Sequence, residues 1–106
     1  GDCDAYINVA GGMRINEPAL DLGIVAALLS SYRNQALDSE TICFGEVGLS
    51  GEVRAVNMAK QRILEARKLG FTTCILPKVA IDSQTNIDGI TLIGVENVRE
   101  AVAKIL

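Results

Sequence analysis

The sequence predicts a single α+β domain built as a two-layer sandwich, with a β-sheet and a layer of helices. Short apolar runs typical of strands occur at residues 41–47, 72–76 and 90–94. Apolar residues at helical spacing occupy the segments around these runs. The chain has 106 residues, which is enough for one hydrophobic core but not for two. We therefore expect one domain over residues 1–106.

Composition excludes several kinds of site. The chain has no histidine, which removes Ser-His-Asp and Cys-His catalysis and the commonest metal ligand. Cys3, Cys43 and Cys74 are far apart and form no CxxC pair, so we expect buried free thiols and no zinc site. There is no signal-peptide pattern, no apolar run of transmembrane length and no initiator Met. We expect a module of a longer cytoplasmic protein that makes no membrane contact.

One long apolar helix organises the first half of the chain. Residues 4–10 alternate as in a strand. Asn16-Glu17-Pro18 then supply a cap, a first-turn acid and a proline where no N–H partner is needed, so a helix should begin there and run to Tyr32 or Arg33. Residues 20–29 hold a single charged side chain. Such a helix is covered on more than one side, by the sheet and by either a neighbouring subunit or its own domain.

Residues 44–54 read FGEVGLSGEVR, in which Gly-Glu-Val occurs twice. Because glycine reaches positive φ at no steric cost, we expect a strand at 41–47, a tight bend at 48–51 and a returning strand through Val56. Glu46 and Glu52 are expected to pair with Arg54 across this hairpin, and contacts in a ring are the alternative role for both acids.

The second half of the chain alternates helices and strands. Asn57 is expected to cap a helix at 58–69 that Gly70 ends, with Ile63 and Ala66 facing inward. The remaining predicted elements are a strand at 72–76 stopped by Pro77, a loop at 79–90, a strand at 90–94 and a terminal helix capped by Asn97.

Charge is unevenly distributed along the chain. The net charge is −3, but residues 1–53 carry two basic and eight acidic side chains, whereas residues 54–106 carry eight and five. Between Arg54 and Lys68 there are five basic side chains and a single acid. A local basic patch can bind phosphate even on an acidic domain, although a solvated helix face is the alternative.

The order of motifs resembles that of the proteolytic domain of Lon proteases, which has Gly-Pro-Ser-Ala-Gly at a helix start, then Thr-Gly-Glu, Gly-Glu-Val and a catalytic Lys. The corresponding segments here are Glu17-Pro18-Ala19-Leu20-Asp21, Phe44-Gly45-Glu46, Gly51-Glu52-Val53 and Lys60. The nucleophile position is Ala19, and a methyl group cannot attack a carbonyl. The resemblance therefore implies a degenerate Ser-Lys dyad at Ala19 and Lys60, and no enzymatic activity in this domain.

A longer match resembles the C-terminal Lon-like domains of the RadA (Sms) family of bacterial DNA repair proteins. It covers nearly the whole chain and includes Asn8-Val9, Gly11-Gly12, Arg14-Ile15, Glu17-Pro18-Ala19, Ser30-Ser31, residues 44–54, Glu65-Ala66, Lys68-Leu69-Gly70-Phe71 and Pro77-Lys78. The resemblance implies a ribosomal protein S5 domain 2-like fold, a hexameric ring, and DNA binding in recombinational repair and branch migration. It also implies a parent protein that is a DNA-dependent ATPase or helicase, whose zinc-finger and RecA-like ATPase regions bind Zn, ATP and Mg outside these residues.

Three functional interpretations follow. The first is a non-catalytic module that builds a ring and contacts DNA phosphates through Arg14, Arg54, Lys60, Arg62 and Arg67. The second is a peptidase with another nucleophile, for which Ser50, Ser30 and Ser31 are the nearby hydroxyls. The third is a purely structural oligomerisation module, indicated by the apolar helix.

Overall fold

The computed structural model describes residues 18–33, 38–81 and 87–105. The strand expected at 4–10 and the side chains of Cys3 and Arg14 lie outside these residues. These residues include three α-helices, α1 (Asp21–Arg33), α2 (Ala59–Lys68) and α3 (Val98–Ile105). The strands are β1 (Thr41–Cys43), β2 (Glu46–Val47), β3 (Val53–Arg54), β4 (Thr73–Pro77) and β5 (Thr91–Val95), and short 3₁₀ turns occupy Pro18–Leu20 and Lys78–Ala80.

Three of the strands form a parallel sheet in the order β1-β4-β5, with Ile42 beside Cys74 and Ile75 beside Ile93. Parallel neighbours need a long crossover connection, and α2 lies in the connection from β1 to β4. The other two strands, β2 and β3, form a separate antiparallel hairpin. The domain is therefore mixed α/β, which agrees with the predicted α+β class.

Both faces of the parallel sheet are buried. Cys74 and Leu76 of β4 belong to one core cluster with Ile63 of α2, whereas Ile75 belongs to a second cluster with Ala101 of α3. Helices therefore cover both faces of the described sheet, whereas a two-layer sandwich has helices on one face. The continuous apolar run of β4 reflects this two-sided burial.

The two described cysteines are buried free thiols, as predicted. Cys74 faces the first cluster and Cys43 faces the second.

Helix α1 extends to Arg33, the last described residue of this segment, and contributes to both clusters through Ala27 and Leu22. The described residues leave its remaining face open at two large side chains, Leu28 (61% exposed) and Tyr32 (89% exposed). No helix among the described residues is long and apolar enough to cross a bilayer.

The strand expected over 41–47 is wrong as a single element, because it breaks at Phe44 and Gly45. The Gly45 N–H donates to the carbonyl of Ala19 at 2.7 Å, and the Gly45 carbonyl accepts from the Leu22 N–H at 2.9 Å. These bonds to the start of α1 occupy the backbone groups that would extend the strand ladder. Consequently β1 enters the parallel sheet and β2 enters the hairpin, whose returning strand ends at Arg54 rather than continuing through Val56.

The predicted Asn57 cap is also wrong. Met58 occupies the cap position of α2 in a left-handed conformation, with φ 55°, and makes no side-chain cap bond. The Asn57 side-chain oxygen instead accepts from Arg62 Nη2 at 2.8 Å. Gly70 follows the helix with φ 102°, a conformation that glycine adopts without strain, as its predicted role at the helix end requires.

The predicted Asn97 cap is confirmed. Its Oδ1 accepts from the Glu100 backbone N–H at 2.9 Å, and the Glu100 carboxylate accepts from the Glu96 N–H at 3.2 Å. Strand β4 ends at Pro77, as predicted, and Pro77 is itself its last residue, paired with Val95. Although β4 is the central strand, its pairing with β1 stops at Ile75, so the missing N–H of Pro77 lies beyond that ladder.

Candidate nucleic-acid interface

The hairpin places Arg54 between two acids. Arg54 is opposite Glu46 in the strand register, with Nη1 3.7 Å from Glu46 Oε1. Its Nη2 and Nε donate to Glu52 Oε2 at 3.0 and 3.3 Å. The predicted pairing of both acids with Arg54 is thus present.

The Glu52 carboxylate accepts several hydrogen bonds. Its own backbone N–H, the Arg54 guanidinium and the Ser50 N–H together hold the pKa of Glu52 below its ordinary value. The Ser50 bond to Oε1 measures 3.0 Å. The carboxylate lies against Gly48, at a place that a side chain on residue 48 would occupy.

The hairpin is anchored at its base and exposed at its tip. The Val47 N–H donates to Asp21 Oδ2 at the start of α1, and the Val53 N–H donates to the Glu96 carbonyl just before α3. Leu49, at the bend, is fully exposed. The hairpin therefore projects from the domain in a fixed orientation.

Helix α2 carries three of the predicted phosphate contacts, but on different sides. At about 100° per residue, Lys60 and Arg67 lie about 20° apart around the helix, whereas Arg62 lies about 160° from Lys60. Lys60 is exposed. Arg62 donates through Nε to the Asn57 carbonyl at 2.8 Å, which holds it against the start of the helix.

A groove of about 490 Å³ runs over the outer face of α2 and is lined by Gln61, Leu64, Glu65, Arg67 and Lys68. Arg67 Nη1 donates to the Asp88 carbonyl at 2.8 Å, so the loop before β5 orients this guanidinium. Lys68 was not among the predicted contacts; it lies about 80° from Lys60 around the helix and lines the groove beside Arg67. Helix geometry thus places Lys60 and Arg67 on one side of α2, the groove is lined by Arg67 and Lys68, and Arg54 and Arg62 lie elsewhere.

The two positions of the degenerate dyad differ in environment. Ala19 is 6% exposed and packs in the core at the start of α1, whereas Lys60 is exposed on α2. A lysine that serves as a base is desolvated. Of the alternative hydroxyls, Ser30 is buried in α1 and Ser50 is exposed at the hairpin bend.

Residues 3–80 match the family model described as subunit ChlI of Mg-chelatase. The chain is 48% identical over 99 residues to the DNA repair protein RadA of Halalkalibacterium halodurans and to that of Bacillus subtilis, with 93% of this chain and 22% of each relative covered. It is 41% identical over 101 residues to the DNA repair protein RadA of Aquifex aeolicus, with 95% and 22% covered. The chain thus spans 22% of the length of these relatives. It belongs to the family described as subunit ChlI of Mg-chelatase and is homologous to DNA repair protein RadA over 93% of its length.

Proposed function

We propose that the chain is a non-proteolytic Lon-like domain, of the ribosomal protein S5 domain 2-like class, that binds DNA and assembles into a hexameric ring in a DNA repair protein. The observation that carries this proposal is the homology to DNA repair protein RadA over 93% of the chain. The exposed basic residues of α2 supply a chemical basis for it.

Lys60, Arg67 and Lys68 are the side chains best arranged to contact DNA phosphates. All three are exposed, Lys60 and Arg67 lie about 20° apart around α2, and Lys68 lines the groove beside Arg67. A guanidinium donates to phosphate oxygens through a planar fork, and such contacts are independent of sequence and weaken with salt. Arg14, Arg54 and Arg62 remain in the proposed set of contacts, with Arg54 on the hairpin, Arg62 on another side of α2 and Arg14 outside the described residues.

Binding of duplex DNA across a salt series tests this function. The Lys60→Ala/Arg67→Ala variant should bind more weakly, and its plot of log affinity against log salt should be shallower by about 1 for each phosphate that the variant no longer neutralises. Gln61→Ala is the matched control, because it removes an exposed uncharged side chain from the same helix. If the wild-type chain does not bind DNA even at low salt, the DNA-binding proposal is wrong.

The absence of peptidase activity is part of the proposal. A methyl group at position 19 supplies no nucleophile, and Lys60 is hydrated rather than desolvated, so both halves of a Ser-Lys dyad are missing. Incubation with casein should give no turnover. Casein cleavage that Lys60→Ala abolishes would contradict this part of the proposal.

A second candidate function is purely structural oligomerisation, which the open face of α1 favours. Leu28 and Tyr32 are one helical turn apart and are both exposed, which suits contact with a neighbouring subunit. The Leu28→Ser/Tyr32→Ser variant should lower the mass measured by sedimentation if this face joins subunits. Unchanged DNA binding after neutralisation of Lys60 and Arg67 would favour this scaffold role alone.

We further propose that the parent protein acts in the cytoplasm, in recombinational repair and branch migration, as a DNA-dependent ATPase. Its zinc-finger and RecA-like ATPase regions would bind Zn, ATP and Mg outside these residues. The matched region forms 22% of the relatives, which leaves room in them for such domains. ATP hydrolysis by the full-length protein should increase when DNA is added.

A further inference from the structure

We propose that Glu46 and Glu52 restrain DNA binding at the hairpin by occupying Arg54, so that a DNA phosphate must displace a carboxylate before Arg54 can contact it. This inference rests on the proposed DNA-binding function and adds an internal competitor to it.

The competition follows from the chemistry of the guanidinium. Arg54 directs both Nε and Nη2 at Glu52 Oε2, at 3.3 and 3.0 Å, and Nη1 lies 3.7 Å from Glu46 Oε1. These are the N–H groups with which an arginine binds phosphate oxygens. The Glu52 carboxylate therefore occupies a position that a phosphate would take, and Glu46, beyond hydrogen-bond distance, adds a negative charge beside Nη1.

Charge adds to this competition. Residues 46–54 carry two acids and one base, which gives this segment a net charge of −1. Arg67 differs, because its hydrogen bond is to the uncharged backbone carbonyl of Asp88. The hairpin as it stands repels a polyanion, whereas α2 attracts one.

The restraint is reversible because the pairs are hydrated. The Arg54, Glu46 and Glu52 side chains are 53%, 40% and 43% exposed, so water and salt weaken both pairs. The Ser50 N–H donates to the Glu52 carboxylate, and Gly48, which has no side chain, leaves room for that carboxylate. Glu52 is therefore the stronger competitor, and Glu46, at 3.7 Å, is the weaker one.

A double-mutant cycle on the 106-residue chain tests this inference. Affinity for duplex DNA at low salt is measured for wild type, Glu52→Gln, Arg54→Ala and the double variant. Glu52→Gln should tighten binding by about two- to fivefold, the range for one exposed charge pair, and should steepen the salt dependence by about one phosphate contact. In the Arg54→Ala background the same change should give a smaller gain, because only repulsion is removed.

Two further variants separate release of Arg54 from a change in net charge. Glu40→Gln removes an exposed acid in the turn before β1 and is the matched control for charge. Gly48→Ala leaves the net charge unchanged but displaces the Glu52 carboxylate, so it should also tighten binding. Circular dichroism of each variant verifies that the fold is retained.

The outcomes distinguish this inference from the function on which it rests. If wild type binds DNA but Glu52→Gln gives equal gains with and without Arg54, the effect belongs to charge alone, and only this inference is overturned. If neither wild type nor any variant binds at low salt, the proposed function fails and the inference fails with it.

Discussion

Replacement of Gly45 by alanine should destabilise the domain through crowding rather than through backbone strain. Gly45 is buried and is not among the described glycines with positive φ, so its conformation alone would accept alanine. A Cβ atom there would lie 2.6 Å from Val53 Cγ1 and 3.4 Å from two side-chain atoms of Leu22. The backbone cannot move away easily, because both of its polar groups are bonded to the start of α1.

The change in the free energy of unfolding for Gly45→Ala is the difference between two opposing effects. Overpacking of a well-packed site costs about 1–3 kcal/mol, and the lower entropy of the unfolded alanine chain offsets about 0.4–1 kcal/mol. We expect a net loss of about 1–2 kcal/mol in the free energy of unfolding, measured by urea denaturation. This corresponds to a fall in melting temperature of about 4–8 °C per kcal/mol.

Gly48→Ala is the control, because the added atom meets the flexible end of Glu52 rather than a packed Val53 methyl. Gly48→Ala should lower the free energy of unfolding by less than Gly45→Ala does. Val53→Ala should recover part of the loss in the Gly45→Ala background, since it removes the crowded methyl group. A Gly45→Ala chain as stable as wild type, or a larger loss for Gly48→Ala, would contradict this account.

Three further predictions concern other sites. Burial raises the pKa of Cys43 well above its ordinary value and that of Cys74 to about 12. Both thiols should therefore resist alkylation at pH 8 until the chain is unfolded. Rapid labelling of either cysteine in the native chain, mapped by mass spectrometry, would contradict this. Asn97→Ala should lower the free energy of unfolding by about 0.5–2 kcal/mol, because it removes the cap of α3. Asn57→Ala should lower it by less, because Asn57 makes no cap. Equal losses of the two variants in urea denaturation would contradict this difference. Folding lowers the pKa of Glu52, so the stability that this carboxylate contributes is present above its unfolded pKa and is lost as pH falls through the lower folded pKa. An NMR titration of Glu52 should therefore find a midpoint below that of an ordinary glutamate. An ordinary midpoint would contradict the hydrogen bonds described.

Local chemistry predicted some helix ends and not others. Asn97 caps α3 as its position before an apolar-periodic segment indicated. Asn57 has the same side chain in a similar position, yet Met58 turns into the left-handed region and Arg62 takes the asparagine oxygen. Nothing in the residues near Asn57 signals that competition, because it depends on how the chain leaves the hairpin.

The break in the strand at 41–47 has a non-local cause. Alternation through Phe44 and Gly45 favours one continuous strand, but it ends where the Gly45 N–H donates to Ala19 and the Gly45 carbonyl accepts from Leu22, both more than 20 residues earlier. The burial of both sheet faces did have a local signal, the unbroken apolar run of β4, which is typical of a strand covered on both sides.

Some contacts of the candidate site were predictable from the sequence and others were not. Cross-strand spacing correctly paired Arg54 with Glu46, whereas Glu52 pairs with Arg54 from two residues earlier on the same side of the bend; helical rotation groups Lys60 with Arg67. The bond from Arg67 to the Asp88 carbonyl spans 21 residues and depends on how the loop before β5 packs, so no spacing rule could predict it.

The projecting bend at Leu49 offers a favourable attachment point for a spectroscopic reporter. Its side chain is fully exposed, while the strands on either side are tied to α1 and to the start of α3. A nitroxide or fluorophore attached there would report on an approaching macromolecule without disturbing the interior. Because the hairpin base is anchored, a change in the signal would report the arrival of a ligand rather than motion of the hairpin.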